Sequence, residues 1–209
     1  FMFSNQLAPF VKNHLISLYS SADEIITPTP YAKSLLHSYG IELPITPISN
    51  GIDLGRFVYD KDKVEAFYRY FSLSRDDKIV LGVGMLFERK GILDFFEVAR
   101  ALPEYKFIWF GTTPKISLPP VINKALEDLP LNVIMPGYVK GAIIEGAYLA
   151  SDCFFFPSYE ETEGIVVLEA LASKQQVIVR DIGAFEGWLK DKENCYMGKT
   201  KEDFIRLID

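Results

Sequence analysis

The sequence predicts an α/β fold, a parallel sheet covered on both faces by helices. Three observations predict it. From Lys78 onward, short apolar runs alternate with longer amphipathic ones. The runs KIVLGVGM at Lys78–Met85 and CFFFP at Cys153–Pro157 are apolar on both faces, as strands buried from two sides must be. Between the first strand and the next, Ile92, Phe95, Phe96, Ala99 and Leu102 recur at helical spacing until Pro103 stops them. Crossovers between parallel strands are right-handed, so the expected architecture is a doubly wound, Rossmann-like sheet.

Taken in order, the first 70 residues are spaced differently from the rest. Leu7–Ala22 reads as a helix, Glu24–Thr27 as a short strand and Pro30–Tyr39 as a helix. Ile45–Ile48 is a strand leading into Asn50-Gly51, and Val64–Phe71 is an aromatic-rich helix. The strand Lys78–Met85 follows, then a loop at Phe87–Gly91 and the helix from Ile92. Lys106–Gly111 is a strand, Val121–Leu129 a helix, and Asn132–Met135 a strand ended by Pro136-Gly137. Ala142–Ala150 is a helix, Cys153–Pro157 a strand, Gly164–Ser173 an apolar helix and Gln176–Arg180 a strand. A helix at Gly183–Lys190, a strand at Cys195–Met197 and a helix from Lys201 complete the pattern. Residues 1–47 are expected to be the tail of a preceding domain with its connection, and residues 48–209 the sheet domain. The first residue is Phe1 and the last, Asp209, lies in a helical pattern, so a longer parent chain is expected.

Composition narrows the function. The apolar share is 49% and the charged share 24%, enough for a well-buried core. A net charge of −6 argues against a nucleic-acid binder that neutralises phosphates. Cys153 and Cys195 stand far apart with no CxxC partner, which suits a reduced, cytoplasmic compartment. His14 and His37 cannot make a His-rich metal site. No apolar stretch approaches the ~20 residues needed to span a bilayer.

The densest chemistry lies in Pro157–Ala170, PSYEETEGIVVLEA. A buried strand ends in an acidic turn, and Gly164 opens an apolar helix. A helix start offers unpaired N–H groups and a positive dipole end, which favour an anion such as a diphosphate. Glycine there lets the anion approach the backbone. Glu161 in the turn and Glu169 within the helix could accept hydrogen bonds from hydroxyls at two places on one extended ligand. Dipole complementation would account for Glu160, Glu161 and Glu163. It would not account for Glu169, because a carboxylate in an apolar helix is costly unless it has a partner. Arg89 and Lys90 follow the first strand of the sheet, where such folds bind phosphates; a solvated basic turn is the plain alternative. Gly82-Val83-Gly84 is only part of a dinucleotide fingerprint. Gly137-Tyr138-Val139-Lys140 could offer backbone groups to a base, and Asn50-Gly51 is first of all a turn signal.

Together these residues resemble the C-terminal domain of glycosyltransferase family 4, which has the GT-B fold. The pieces come in the family's order. Asn50-Gly51-Ile52-Asp53 with Phe57 resembles its NGxDxxxF segment, and Val83-Gly84 through Lys90-Gly91 its VGRLxxxKG segment. Gly137-Tyr138-Val139 matches a glycine-led turn, Ala150-Ser151-Asp152 with Pro157-Ser158 a strand, and Glu161 with Glu169 the E-x7-E pair. The resemblance implies the C-terminal half of a GT-B fold and a retaining transfer of glucose or galactose from a nucleotide diphosphate sugar to a glycolipid or glycan. Glu161 is then the catalytic candidate, holding hydroxyls of the donor sugar, and Glu169 holds the ribose. Amides of Gly164, Ile165 and Val166 meet the diphosphate, Lys90 neutralises it with Gly84 and Arg89 alongside, and Tyr138 or Val139 contacts the base. No cofactor and no metal are implied. The acceptor is recognised largely by an N-terminal domain of the same chain, with peripheral contact at the inner face of a membrane. Met85 stands where the family has the Arg of VGR. The segments LFERKG and EETEGIVVLEALAS are most similar to bacterial diacylglycerol glycolipid hexosyltransferases. Two other readings stay open: a sugar-nucleotide epimerase or hydrolase on the same fold, and a non-catalytic glycosyltransferase-like subunit, which Met85 favours.

Overall fold

The computed structural model describes residues 4–209, so the expectation for residues 1–3 lies outside the described residues. The chain runs α1 (Ser4–Tyr19), β1 (Ile25–Thr27), α2 (Pro30–Ser38), β2 (Ile45–Pro47), α3 (Lys61–Phe71), β3 (Lys78–Val83), α4 (Ile92–Ala101), β4 (Tyr105–Phe110), α5 (Pro120–Glu127) and β5 (Val133–Gly137). It continues through α6 (Ala142–Ala150), β6 (Cys153–Phe156), α7 (Ile165–Ala172), β7 (Gln176–Arg180), β8 (Tyr196–Gly198) and α8 (Lys201–Ile208). Strands β1 and β2 pair in a small parallel sheet. The other six form one parallel sheet in the order β5-β4-β3-β6-β7-β8. The chain thus starts in the middle at β3, winds to one edge, returns to β6 and winds to the other edge. This is the expected doubly wound order, and its reversal point lies between β3 and β6.

Alternation along the strands divides the core. Ile79, Leu81, Ile108, Phe110, Phe154, Phe156, Val177 and Val179 face one way, against Phe67 of α3, Ala147 and Tyr148 of α6, and Val167 and Ala170 of α7. Val80, Phe107, Trp109, Cys153, Phe155 and Ile178 face the other way, against α4, Ile122 of α5 and Phe204 of α8. The small sheet has its own cluster of Ile25, Ile41 and Ile45. Among the described residues, no helix is long and apolar enough to cross a membrane.

Several boundaries differ from expectation for identifiable reasons. Helix α3 begins at Lys61, three residues early, because Asp60 Oδ1 accepts from the backbone N–H groups of Asp62 (2.9 Å) and Lys63 (3.2 Å). Strand β3 ends at Val83 rather than Met85: Gly84 N–H donates to Phe110 O, and Gly84 O accepts from Trp109 Nε1 at 2.9 Å. Strand β5 runs through Pro136 to Gly137. It is an edge strand whose register shifts opposite Ile108 and Phe110, where a residue without an N–H is tolerated. The helix expected at Gly183–Lys190 is a correction. Only Gly183–Phe185 forms a 3-10 turn; Glu186 leaves helical geometry at ψ 132° and Gly187 has φ +89°. Phe185 and Leu189 are buried there through an irregular turn instead of a helical face.

Candidate functional site

At the reversal point the loop after β3 and the loop after β6 leave the sheet in opposite directions, which opens a crevice at its carboxyl edge. The two loops are fastened to each other. Gly91 has φ +71°, and a Cβ on it would lie 2.3 Å from Pro157 O, so only glycine allows this approach. Tyr159 N–H donates to Arg89 O at 2.8 Å. Ser158, wholly buried, places Oγ 3.0 Å from Arg89 O and 2.8 Å from Glu161 Oε1, and its single proton can serve one of them at a time. Arg180 braces the β6 loop from behind. Its Nε donates to Pro157 O at 3.0 Å, its Nη2 pairs with Asp94 at 2.9 Å, and its guanidinium lies 3.9 Å from the Tyr159 ring centroid.

The crevice has two chambers that share a wall at Val83, Gly84 and Met85. The smaller, of about 330 Å³, is lined by Arg89, Lys90, Glu161, Gly164, Ile165 and Val166 among others. Lys90 Nζ pairs with Glu161 Oε1 at 2.5 Å, both side chains being largely buried. Arg89 is exposed, with Nη1 3.4 Å from Glu160 O, and does not share the place of Lys90. Gly164 precedes α7 with φ +83°, and it lines the chamber with Ile165 and Val166, the first residues of a helix turn whose N–H groups lack intrahelical partners. It is itself buried, with the Phe185 ring 3.1 Å from where a Cβ would stand.

The larger chamber, of about 610 Å³, holds Gly84, Tyr138, Val139 and Glu169. Tyr138 is well exposed at its mouth. Glu169 accepts a hydrogen bond from Tyr148 Oη at 2.8 Å. Burial raises the pKa of Glu169 from its ordinary value, and the Tyr148 hydrogen bond and Arg56 oppose this only in part. Burial and the adjacent carboxylate push the Tyr148 phenol well above its ordinary value. Burial also works against the charge of Glu145, but hydrogen bonds from Lys63 and Arg56 outweigh it, and its pKa is lowered.

All ten residues singled out from the sequence therefore line one crevice: Gly84, Arg89, Lys90, Tyr138, Val139, Glu161, Gly164, Ile165, Val166 and Glu169. Met85, 45% exposed, stands on the shared wall with no charge to offer. Gly82 belongs elsewhere: a Cβ on it would strike the rings of Trp109 and Phe95, so it serves packing. Sequence reasoning missed Tyr148, Glu145 and Arg56. The first two stand three apart in the otherwise apolar run AIIEGAYLA, on one side of a helix, which was the available signal. Asn50, a turn signal in the sequence, also reaches across the fold: its Nδ2 donates to Glu163 Oε2 at 2.6 Å.

Residues 65–209 match the family described as Glycosyl transferases group 1. The processive diacylglycerol alpha-glucosyltransferase of Acholeplasma laidlawii is 50% identical over 210 residues, covering 100% of this chain and 63% of that protein. The alpha-galactosylglucosyldiacylglycerol synthase of Streptococcus pneumoniae is 27% identical over 93% of this chain and 54% of its own length. This chain thus spans less than two thirds of either relative. Among solved structures, sucrose-phosphate synthase from Thermosynechococcus elongatus superposes with a TM-score of 0.82 at 21% identity, over 94% of this chain and 51% of that one. Anabaena Alr3699/HepE in complex with UDP-glucose superposes at 0.80 with 16% identity, over 90% and 53%.

Proposed function

The chain belongs to the group 1 glycosyl transferases, and from that premise we propose that it forms the donor site of a retaining hexosyltransferase. The donor is UDP-glucose or UDP-galactose and the acceptor a diacylglycerol glycolipid. One observation carries the reading: Glu161, Lys90 and residues Gly164, Ile165 and Val166 line one chamber, Glu169 lines the next, and the two chambers are neighbours that share the wall Val83–Met85. That sequence of groups suits a sugar, a diphosphate and a nucleoside laid end to end.

In this reading the nucleoside lies in the larger chamber, its ribose hydroxyls on Glu169 and its base against the backbone of Tyr138 or Val139. The diphosphate meets the first-turn amides of α7, where orphan N–H groups and the helix dipole favour negative charge. Lys90 adds a fixed cation beside it. When the hexose leaves, negative charge grows on the diphosphate, and donors already in position stabilise it without reorganising. The Lys90–Glu161 pair couples the two ends: the lysine faces the leaving group while the carboxylate it orients faces sugar hydroxyls. The relatives' names, diacylglycerol glucosyltransferase and galactosylglucosyldiacylglycerol synthase, support the acceptor class.

The test is binding calorimetry on Glu161→Ala. UDP binding is expected to persist and UDP-hexose binding to weaken; equal loss of both contradicts the sugar role. Met85 favours a second reading, a non-catalytic subunit, and wild-type protein that binds no UDP or UDP-hexose decides for it.

A further inference from the structure

Glu163 is 4% exposed, yet it lines the same chamber as Lys90, Glu161 and Gly164. Its two carboxylate oxygens are used unequally. Oε2 accepts from Asn50 Nδ2 at 2.6 Å and lies 3.4 Å from the Asn50 backbone N–H. Oε1 has no hydrogen-bond partner among the described residues and is not fully sealed; Glu163 borders this chamber and, on its other side, a hollow lined by Thr29, Pro47, Ser49 and Trp188. A carboxylate oxygen with no protein donor in a largely buried residue is free to accept from a bound molecule that can donate to it. The surroundings select the donor. Lys90 is already engaged by Glu161, and two carboxylates lining one chamber disfavour an anion near them, so in this reading the diphosphate lies toward the start of α7 and not here. What remains is a neutral group that can donate, and a hexose ring offers several.

Resting on the donor-site reading above, we propose that Glu163 is a sugar-recognition residue, whose Oε1 accepts a hydrogen bond from a hydroxyl of the donor hexose. Asn50 holds the other oxygen and so fixes the direction of the free one. Glu161 and Glu163 then contact different hydroxyls of the same ring, and the pair reads the sugar's stereochemistry where either alone would not.

The test uses Glu163→Gln and Glu163→Ala, titrated with UDP, UDP-glucose and UDP-galactose, with thermal unfolding to establish that each variant is folded. Glu163→Gln keeps an amide oxygen for Asn50 and loses the charged acceptor, so the fastening survives. Both variants are expected to bind UDP within twofold of wild type. Both are expected to bind the preferred UDP-hexose about tenfold or more weakly, as a lost charged hydrogen bond implies, and to discriminate less between the two C4 epimers. Should Glu163→Ala fail to fold, Glu163→Gln carries the test alone. Glu163→Gln that binds UDP-hexose like wild type overturns the proposal and leaves Glu163 a fastening for Asn50. Equal weakening of UDP and UDP-hexose overturns it too, as does unchanged donor binding with impaired transfer, which would move Glu163 to the acceptor. Wild-type protein that binds no UDP sinks the donor-site reading and this assignment with it; wild type that binds both while Glu163→Gln is unchanged sinks this assignment alone.

Discussion

Tyr148 Oη donates a 2.8 Å hydrogen bond to Glu169 Oε2, tying α6 to α7 at the back of the larger chamber. Tyr148 is almost wholly buried, so this bond has little competition from water. Tyr148→Phe deletes only the hydroxyl and leaves the carboxylate half-buried without a donor. Urea unfolding is expected to show a loss of about 1–3 kcal/mol. A loss within experimental error would mean that water replaces the phenol at no cost.

Glu169 itself should trade stability for ligand. Its folded pKa lies above the unfolded one, so the folded state holds this proton more tightly than the unfolded chain does. Its contribution is favourable below the unfolded value of about 4.3 and falls as the pH rises through the folded value. Glu169→Gln removes that fall. At pH 7 the variant is expected to unfold at higher urea than wild type, with the difference fading by about pH 3. The opposite order at pH 7 would mean that ion pairing, not burial, governs this carboxylate.

Lys90→Met tests the pair that links the two ends of the proposed ligand. It leaves Glu161 charged and largely buried without its cation. A stability loss of about 3 kcal/mol is expected, the scale for breaking a buried pair from one side. UDP binding should weaken and become less sensitive to salt, since one cation has gone. Unchanged salt dependence would place Lys90 away from the phosphates.

Gly91→Ala tests the fastening of the two loops. The added Cβ meets Pro157 O, and the residue must hold φ +71°. The left-handed conformation alone costs about 1–2 kcal/mol, and the clash adds to it. Loss of donor affinity is expected together with loss of stability, because the displaced loop carries Glu161. A stable variant that binds UDP-hexose normally would show that the loops need not touch.

How much of this was legible in the sequence depended on how local each cause was. Helix α6 and strand β7 fall on the expected residues because their apolar patterns end at clear breaks. The Gly183–Lys190 segment also carries apolar residues at helical spacing, but Gly187 takes a left-handed φ and the chain turns instead. Strand β5 passes Pro136 because it lies at an edge, and strand order is not written in any one segment. In the site, Glu161, Glu169, Gly164 and Lys90 were recognisable because a short stretch must carry several of them. The pairings were not. Lys90 meets Glu161 across 71 residues, Asn50 meets Glu163 across 113, and Tyr148 meets Glu169 across 21. Such contacts are set by which strands become neighbours, and that is decided only when the sheet assembles.

The account rests on the two adjacent chambers receiving a nucleoside diphosphate, and calorimetric titration of UDP into wild type and Glu169→Ala tests this most directly. The predicted result is measurable binding by wild type and binding weaker by about 1–3 kcal/mol in a folded variant. Equal affinity in the two proteins, or no binding by wild type, would contradict it.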